Sequence, residues 1–253
     1  MADDVAQSLD ELPPLPRYLQ LLWDREAPGR RGPKPGRSIT EIGEAGVRIA
    51  DRDGIDAVSM KSVATELGLT TMSLYRYVDS KEELNAVMVD VALGEPDFAV
   101  TARGRWRTRL EAWARAGAAK RRAHPWVVDI AVPGPPLTPN TIAWMECGLR
   151  AFANTTLGEQ QKLSTLLAID SYVTDHVRMS VQFGLLGREH GGSEHADTYG
   201  LTLAQLIDAD RFPSLTQAQS SFEDDDEDFF EAELSFGLKV FLDGVDVLVA
   251  SAR

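Results

Sequence analysis

Cysteine is almost missing from this 253-residue chain, since Cys147 stands alone. A disulfide framework and a zinc site built on several thiolates are thereby excluded. Only four histidines are present, and none sits in an evident Ser, Cys or Asp arrangement for nucleophilic catalysis. There is no Walker loop, no GxGxxG, no Gly-x-Ser-x-Gly and no His-Glu-x-x-His, so no enzyme class is indicated. No apolar run reaches the roughly 20 residues of a membrane helix, and the opening Met-Ala-Asp-Asp has the wrong sign for a secretory signal. Lysine is scarce too: of 26 Lys+Arg only six are Lys, leaving 20 Arg, which favours guanidinium chemistry wherever the cations act. These absences lead us to expect a cytoplasmic protein with no membrane association, no cofactor and no metal.

What is present starts with a sufficient core. About 43% of residues are apolar, enough for one large or two small domains. The formal charge is −13 and the pI near 4.8, which at face value argues against nucleic acid. Divided along the chain, the sum looks different. Residues 17–37 hold six bases and two acids, and residues 96–150 hold nine bases and four acids. Residues 151–253 hold six bases and eighteen acids, and the run Glu223–Asp228 supplies six of those acids. The charge is therefore a polarity along the chain, and DNA meets a surface rather than a sum.

Residues 1–37 read as a flexible basic N-terminal arm, because Pro and Gly punctuate 24–37 and keep it extended. Regular structure is expected from Ser38, where Ser-Ile-Thr-Glu fits a capping box and Ile42, Ala45, Gly46, Ile49 and Ala50 follow at helical spacing. Short helices over about 60–67 and 71–78 follow, joined at Gly68. Ser80-Lys-Glu-Glu is a second capping box and opens a helix carrying Leu84, Val87, Met88 and Val91. Domains are expected at 38–95 and 96–253. Beyond the first, a helix containing Trp106, Leu110 and Trp113 is followed by helices over 138–155, 159–187, 199–210 and 226–251, with loops at 188–198 and 212–225. The class is all-α.

Two short helices joined by Leu67-Gly68-Leu69-Thr70 match a helix-turn-helix. The second helix of such a unit enters the major groove with its first residues at base edges. Leu74 and Val78 can face the core, which leaves Thr71, Met72, Ser73, Arg76 and Tyr77 for DNA. The hydroxyls suit bases or phosphates, Met72 a thymine methyl, and Arg76 a guanine or a phosphate. Lys81, at a helix start, suits a phosphate. On spacing alone, an ordinary helical bundle with a hydroxyl-rich cap accounts for the same residues.

The block Ile49–Leu84, above all Leu74-Tyr-Arg-Tyr-Val and Lys81-Glu-Glu-Leu, resembles the DNA-binding domain of TetR/AcrR-family transcriptional regulators. The arm Arg30-Arg-Gly-Pro-Lys-Pro-Gly-Arg37 and the closing Phe236–Val245 are similar to the subgroup with a tetracycline-repressor-like C-terminal domain. The resemblance implies an all-α homodimer, with an N-terminal three-helix helix-turn-helix domain and a C-terminal helical ligand-binding and dimerisation domain. It also implies a repressor that leaves a double-stranded DNA operator when a small-molecule effector binds. By position, the family's DNA contacts fall on Ser59, Lys61, Thr71, Met72, Ser73, Tyr75, Tyr77 and Lys81, with Arg76 in the same patch. Arg25, Arg30, Arg31, Lys34 and Arg37 of the arm are expected along the DNA backbone or in the minor groove; the alternative is a tail with no role.

The 226–251 helix is apolar on more than one side, which points to burial on more than one side. We expect a homodimer through the 159–187 and 226–251 helices, over a near-palindromic site. An effector pocket is expected from Trp106, Trp113, Trp126, Trp144, Tyr172, His176, Met179 and Phe183, with Asn140, Asp170 and His176 as its polar groups. For Tyr172, His176, Met179 and Phe183, core or dimer interface is the competing assignment. His190 and His195 sit in a Gly-rich stretch without metal-ligand spacing, and 223–228 lacks the spaced ligands of a calcium loop. A ligand-binding or catalytic helical protein with a vestigial helix-turn-helix, and an activator, are the alternative functions.

Overall fold

Ser38 opens the first long helix as its sequence requires. Its hydroxyl accepts the Glu41 N–H at 3.0 Å, and the Glu41 carboxylate takes the Ser38 N–H at 2.7 Å. Both orphan amides are thereby satisfied. The computed structural model describes residues 14–25, 36–130, 134–184, 201–219 and 228–251. In chain order the helices are α1 (Arg17–Leu22), α2 (Ile39–Asp53), α3 (Met60–Glu66), α4 (Thr71–Leu74), α5 (Lys81–Leu93), α6 (Trp106–Ala123), α7 (Pro139–Ala151), α8 (Glu159–Gln182), α9 (Pro213–Gln219) and α10 (Phe229–Ser251). Short 3-10 turns lie at Ile55–Ala57, Phe98–Thr101 and Pro125–Asp129. Residues 201–206 are also helical. Among the described residues there is no strand, and the fold is all-α.

The chain forms two compact units, Met1–Pro96 with Ile130–Glu146, and Asp97–Asp129 with Cys147–Arg253. In the first, α2 packs on α5, burying Ile42, Ala45, Ile49, Leu84, Val87 and Met88. The approach is close enough that a Cβ on Gly46 would lie 2.5 Å from the Met88 sulfur, so glycine there is a packing requirement. Gly68 has φ +66°, and the Leu69 N–H returns to the Ala64 carbonyl at 2.8 Å. That left-handed residue ends α3 and turns the chain into α4. Asp90 of α5 is 2% exposed. Its carboxylate accepts the Asn140 N–H at 2.8 Å, the Thr141 N–H at 3.3 Å and the Asn140 side-chain amide at 3.1 Å. Burial pushes this carboxyl up from its ordinary range while those donors oppose the shift.

Three sequence expectations are corrected here. Within the supposed flexible arm, Arg17–Leu22 is a helix with Leu19 2% exposed. Pro16 stands at the N-cap with helix formers behind it, while the prolines and charges around the segment hid them. Second, 130–146 groups with the first unit and not with the rest of 96–253, because Asp90 holds the start of α7. Third, Pro213–Gln219 within the expected 212–225 loop is α9, since a proline at the first helical position is pre-organised for it. Residues 188–198 and 223–227, including His190 and His195, lie outside the described residues.

In the second unit, α6, α8 and α10 enclose Leu110, Trp113, Ile169, Val173, Val177, Phe230, Leu234, Leu238 and Leu242. A Cβ on Gly237 would lie 2.1 Å from the Tyr172 hydroxyl oxygen, so α10 meets α8 over a glycine. Asp228 caps α10, its carboxylate accepting the Phe230 N–H at 3.1 Å. Arg107, Arg115 and Arg122 of α6 meet an acidic edge of α10. Arg107 pairs with Asp243 and Asp246, each at 2.6 Å. Arg115 pairs with Glu231 at 3.1 Å, and Arg122 with Glu231 at 3.6 Å. Among the described residues no helix is long and apolar enough to cross a membrane.

Candidate nucleic-acid interface and effector domain

The recognition element is built from its cap outward. The Thr70 hydroxyl accepts the Ser73 N–H at 3.2 Å and lies 2.9 Å from the Ser73 hydroxyl, so α4 starts as a closed, hydrogen-bonded turn. Leu74 and Val78 are fully buried, and the element packs on α3. Met72 is thereby left 76% exposed and Tyr75 43% exposed. Arg76, Lys61, Ser59 and Lys81 are exposed, and Thr71 and Ser73 half-buried. Among the described residues Lys61, Arg76 and Lys81 make no ion pair, so their charges remain for a polyanion.

The helix expected over 71–78 stops at Leu74. Beyond it the chain tightens, with Arg76 N–H on Ser73 and Tyr77 N–H on Leu74, three residues back. Tyr77 is 6% exposed, so most of its ring packs against the protein rather than standing free beside Met72 and Tyr75. Arg37 also differs from expectation. Its guanidinium pairs with Glu41 at 3.0 Å and donates to the Leu67 carbonyl at 3.4 Å, at the end of α3. Arg30, Arg31 and Lys34 lie outside the described residues. Ser59 holds the start of α3 through reciprocal bonds with Ser62, at 2.8 and 3.0 Å. Ser80 accepts the Glu83 N–H at 3.2 Å, but Glu83 answers to the Asp79 N–H at 2.6 Å, one residue earlier than a capping box requires.

The ten residues expected around an effector are divided between the two units. Asn140 and Trp144 belong to the first unit, where Asn140 binds Asp90 and the Trp144 indole donates to the Gly94 carbonyl at 2.9 Å. In the second unit Trp113 and Trp126 are buried and Trp106 half-buried. Asp170 is paired with Arg121 at 2.7 Å. Tyr172 donates to the Glu233 carbonyl at 2.7 Å, and His176 Nε2 lies 3.0 Å from the Phe230 carbonyl oxygen. Their rings are 5.9 Å apart, and His176 is 4.6 Å from the Phe230 ring, so this pair joins α8 to α10. Met179 and Phe183 are 45% and 51% exposed. The sequence reading missed the arginine row of α6, whose i, i+8, i+15 spacing was its available signal, and missed Arg17 altogether.

Two family models match. Residues 42–87 match bacterial regulatory proteins of the tetR family, and residues 99–249 match the tetracyclin repressor-like C-terminal domain. The chain belongs to the TetR family. A TetR-family protein is a transcriptional regulator and not an enzyme, with an N-terminal helix-turn-helix and a helical C-terminal domain. Over 240 residues the chain is 36% identical to the HTH-type transcriptional repressor DrrR1 of Streptomyces coeruleorubidus, covering 94% of this chain and 87% of that one. Among solved structures, apo ActR of Streptomyces coelicolor superposes with a TM-score of 0.72 at 22% identity, covering 88% of this chain and 100% of ActR. ActR in complex with actinorhodin gives 0.73 at 22% identity, covering 86% and 99%. The likeness to ActR is one of fold.

Proposed function

We propose that this TetR-family regulator is a cytoplasmic, ligand-responsive repressor that binds a near-palindromic operator as a homodimer. The observation that carries the reading is the presentation of α4: a capped turn, anchored by Leu74, that exposes Met72, Tyr75 and Arg76 beside Lys61 and Lys81. Thr71 and Ser73 complete the base-facing edge, while Ser59 and Lys61 at the start of α3 and Lys81 at the start of α5 meet phosphates. Repression is supported by the likeness to DrrR1 over almost the whole chain.

Dimerisation is supported by a second apolar stripe on α10. Phe229, Phe236, Val240 and Val247, at i, i+7, i+11 and i+18, are 50, 66, 56 and 67% exposed, a single face opposite the buried one. Leu167, Met179 and Phe183 on α8 and its C-terminal cap are exposed as well. Pairing these helices with their copies covers both sets in a four-helix bundle. The effector is a hydrophobic, aromatic small molecule received in the second unit, where Trp106, Trp113, Trp126, Tyr172 and His176 supply the aromatic lining. The ActR complex with actinorhodin supports that class of ligand. Gel shifts of DNA from upstream of the protein's own gene test the reading: a specific complex that weakens steeply with salt is expected. No complex even at low salt would leave a ligand-binding protein with a vestigial helix-turn-helix.

A further inference from the structure

α1 is short, yet it and the residue after it make two hydrogen bonds to distant parts of the first unit. Arg17 Nε donates to the carbonyl of Arg76, at the end of the recognition turn. The Trp23 indole, one residue past α1, donates to the Leu137 carbonyl at 2.8 Å, two residues before α7. Leu19 between them is 2% exposed and α1 packs on α2. Burial pushes the Tyr18 phenol up, and the charge of Glu83 adds to the shift. The exit from α1 is also fixed, because Asp24 adopts φ +50° and the Arg25 N–H returns to the Gln20 carbonyl at 2.8 Å.

The bond from Arg17 answers a local need. α4 is one turn long, and the carbonyls that end a helix have no intrahelical partner. A guanidinium there satisfies one of them and complements the negative end of the peptide dipoles. Extending the helix past Leu74 would have satisfied it otherwise, and the chain instead tightens into the turn at Arg76 and Tyr77.

We infer that α1 is a brace: Arg17 is a positioning residue that fixes the recognition element from behind, while Trp23 anchors the brace to the segment opening α7. Arg17 thus strengthens operator binding by holding Arg76 and Tyr75 in place, without meeting DNA itself. This rests on the DNA-binding reading above, and the test separates the two. A duplex is first selected from random sequence by the purified full-length protein. Failure of the wild-type chain to select any sequence overturns both the DNA-binding reading and the brace's role in it. With a duplex in hand, R17A is expected to weaken binding about fivefold, on the scale of one lost hydrogen bond. The slope of log affinity against log salt stays unchanged, since no phosphate contact is lost. R17K, which retains one donor, recovers most of the affinity, and W23F weakens binding by a smaller factor.

Hydrogen exchange on the DNA-free proteins supplies a readout independent of the duplex. In R17A the amides of 75–78 exchange faster while those buried in α2 and α5 keep their protection, which also shows that the variant is folded. An R17A protein with unchanged affinity and unchanged exchange at 75–78 overturns the brace. So does a salt slope reduced by about one, which would place Arg17 on a phosphate.

Discussion

Basic side chains serve opposite ends around the recognition element and in the second unit. In the second unit, Arg107, Arg115, Arg121 and Arg122 each face a carboxylate of the same chain, on α8 or α10. Around the recognition element, Arg76, Lys61 and Lys81 stand exposed with no ion pair among the described residues. The net charges of the segments do not distinguish these cases, since 96–150 and 17–37 both carry a surplus of base. Geometry decides, because a cation four residues from a carboxylate, or across a helix pair from one, is already committed. An acidic protein binds a polyanion where its cations are left unpaired, whatever its total.

Breaking that contrast at the DNA face has the largest expected effect. Replacing Lys61, Arg76 and Lys81 together by Ala should reduce the salt slope by about three and operator affinity by about 100-fold or more. The thermal midpoint should be little changed; gel shifts over a salt series and a melt check both. A comparable loss from the Arg107→Ala change would show that the second unit's arginines also serve DNA. Next in size is the packing that brings α8 and α10 together. Gly237→Ala places a methyl against the Tyr172 ring and should destabilise the second unit by about 1–3 kcal/mol, read in thermal or denaturant unfolding. Its DNA face should remain intact in any fraction that stays folded.

The smallest effect belongs to the surface ion pairs. Arg107→Ala should lower the thermal midpoint by no more than about 3 °C, as exposed pairs contribute little. The direction with pH follows from Asp243. Hydrogen bonds from Lys239 and Arg107 hold its carboxyl below the usual range, so the contribution is present at neutral pH and is lost as the pH falls through that lowered value. The difference in midpoint between Arg107→Ala and the parent should therefore shrink below about pH 4.

Local rules made most of the first unit legible. The capping box at Ser38, the apolar spacing along α2 and α5 and the glycine at 68 are all decided within a few residues, and the structure shows each of them. Arg37 and α1 were read too locally. An arginine in a basic stretch looks available until Leu67 and Glu41 are placed beside it. For α1, the deciding partners are Arg76 and Leu137, 59 and 114 residues away. Among the effector candidates, residue type revealed a bulky aromatic interior but not the bonds that join Tyr172 and His176 to α10.

The carboxylate of Asp90 bears on the order in which the protein assembles. It lies 50 residues before the amides it holds, so α5 leaves the ribosome well ahead of α7, during synthesis at about 5–20 residues per second. The first turn of α7 begins with a proline, and the N–H groups of Asn140 and Thr141 find their acceptor on a helix made earlier in the chain. The Asp90 carboxylate is thus in the chain before the amides it holds, and α5 is synthesised ahead of the helix whose start it receives. A chain read from one end to the other reaches its final shape by returning to an earlier page.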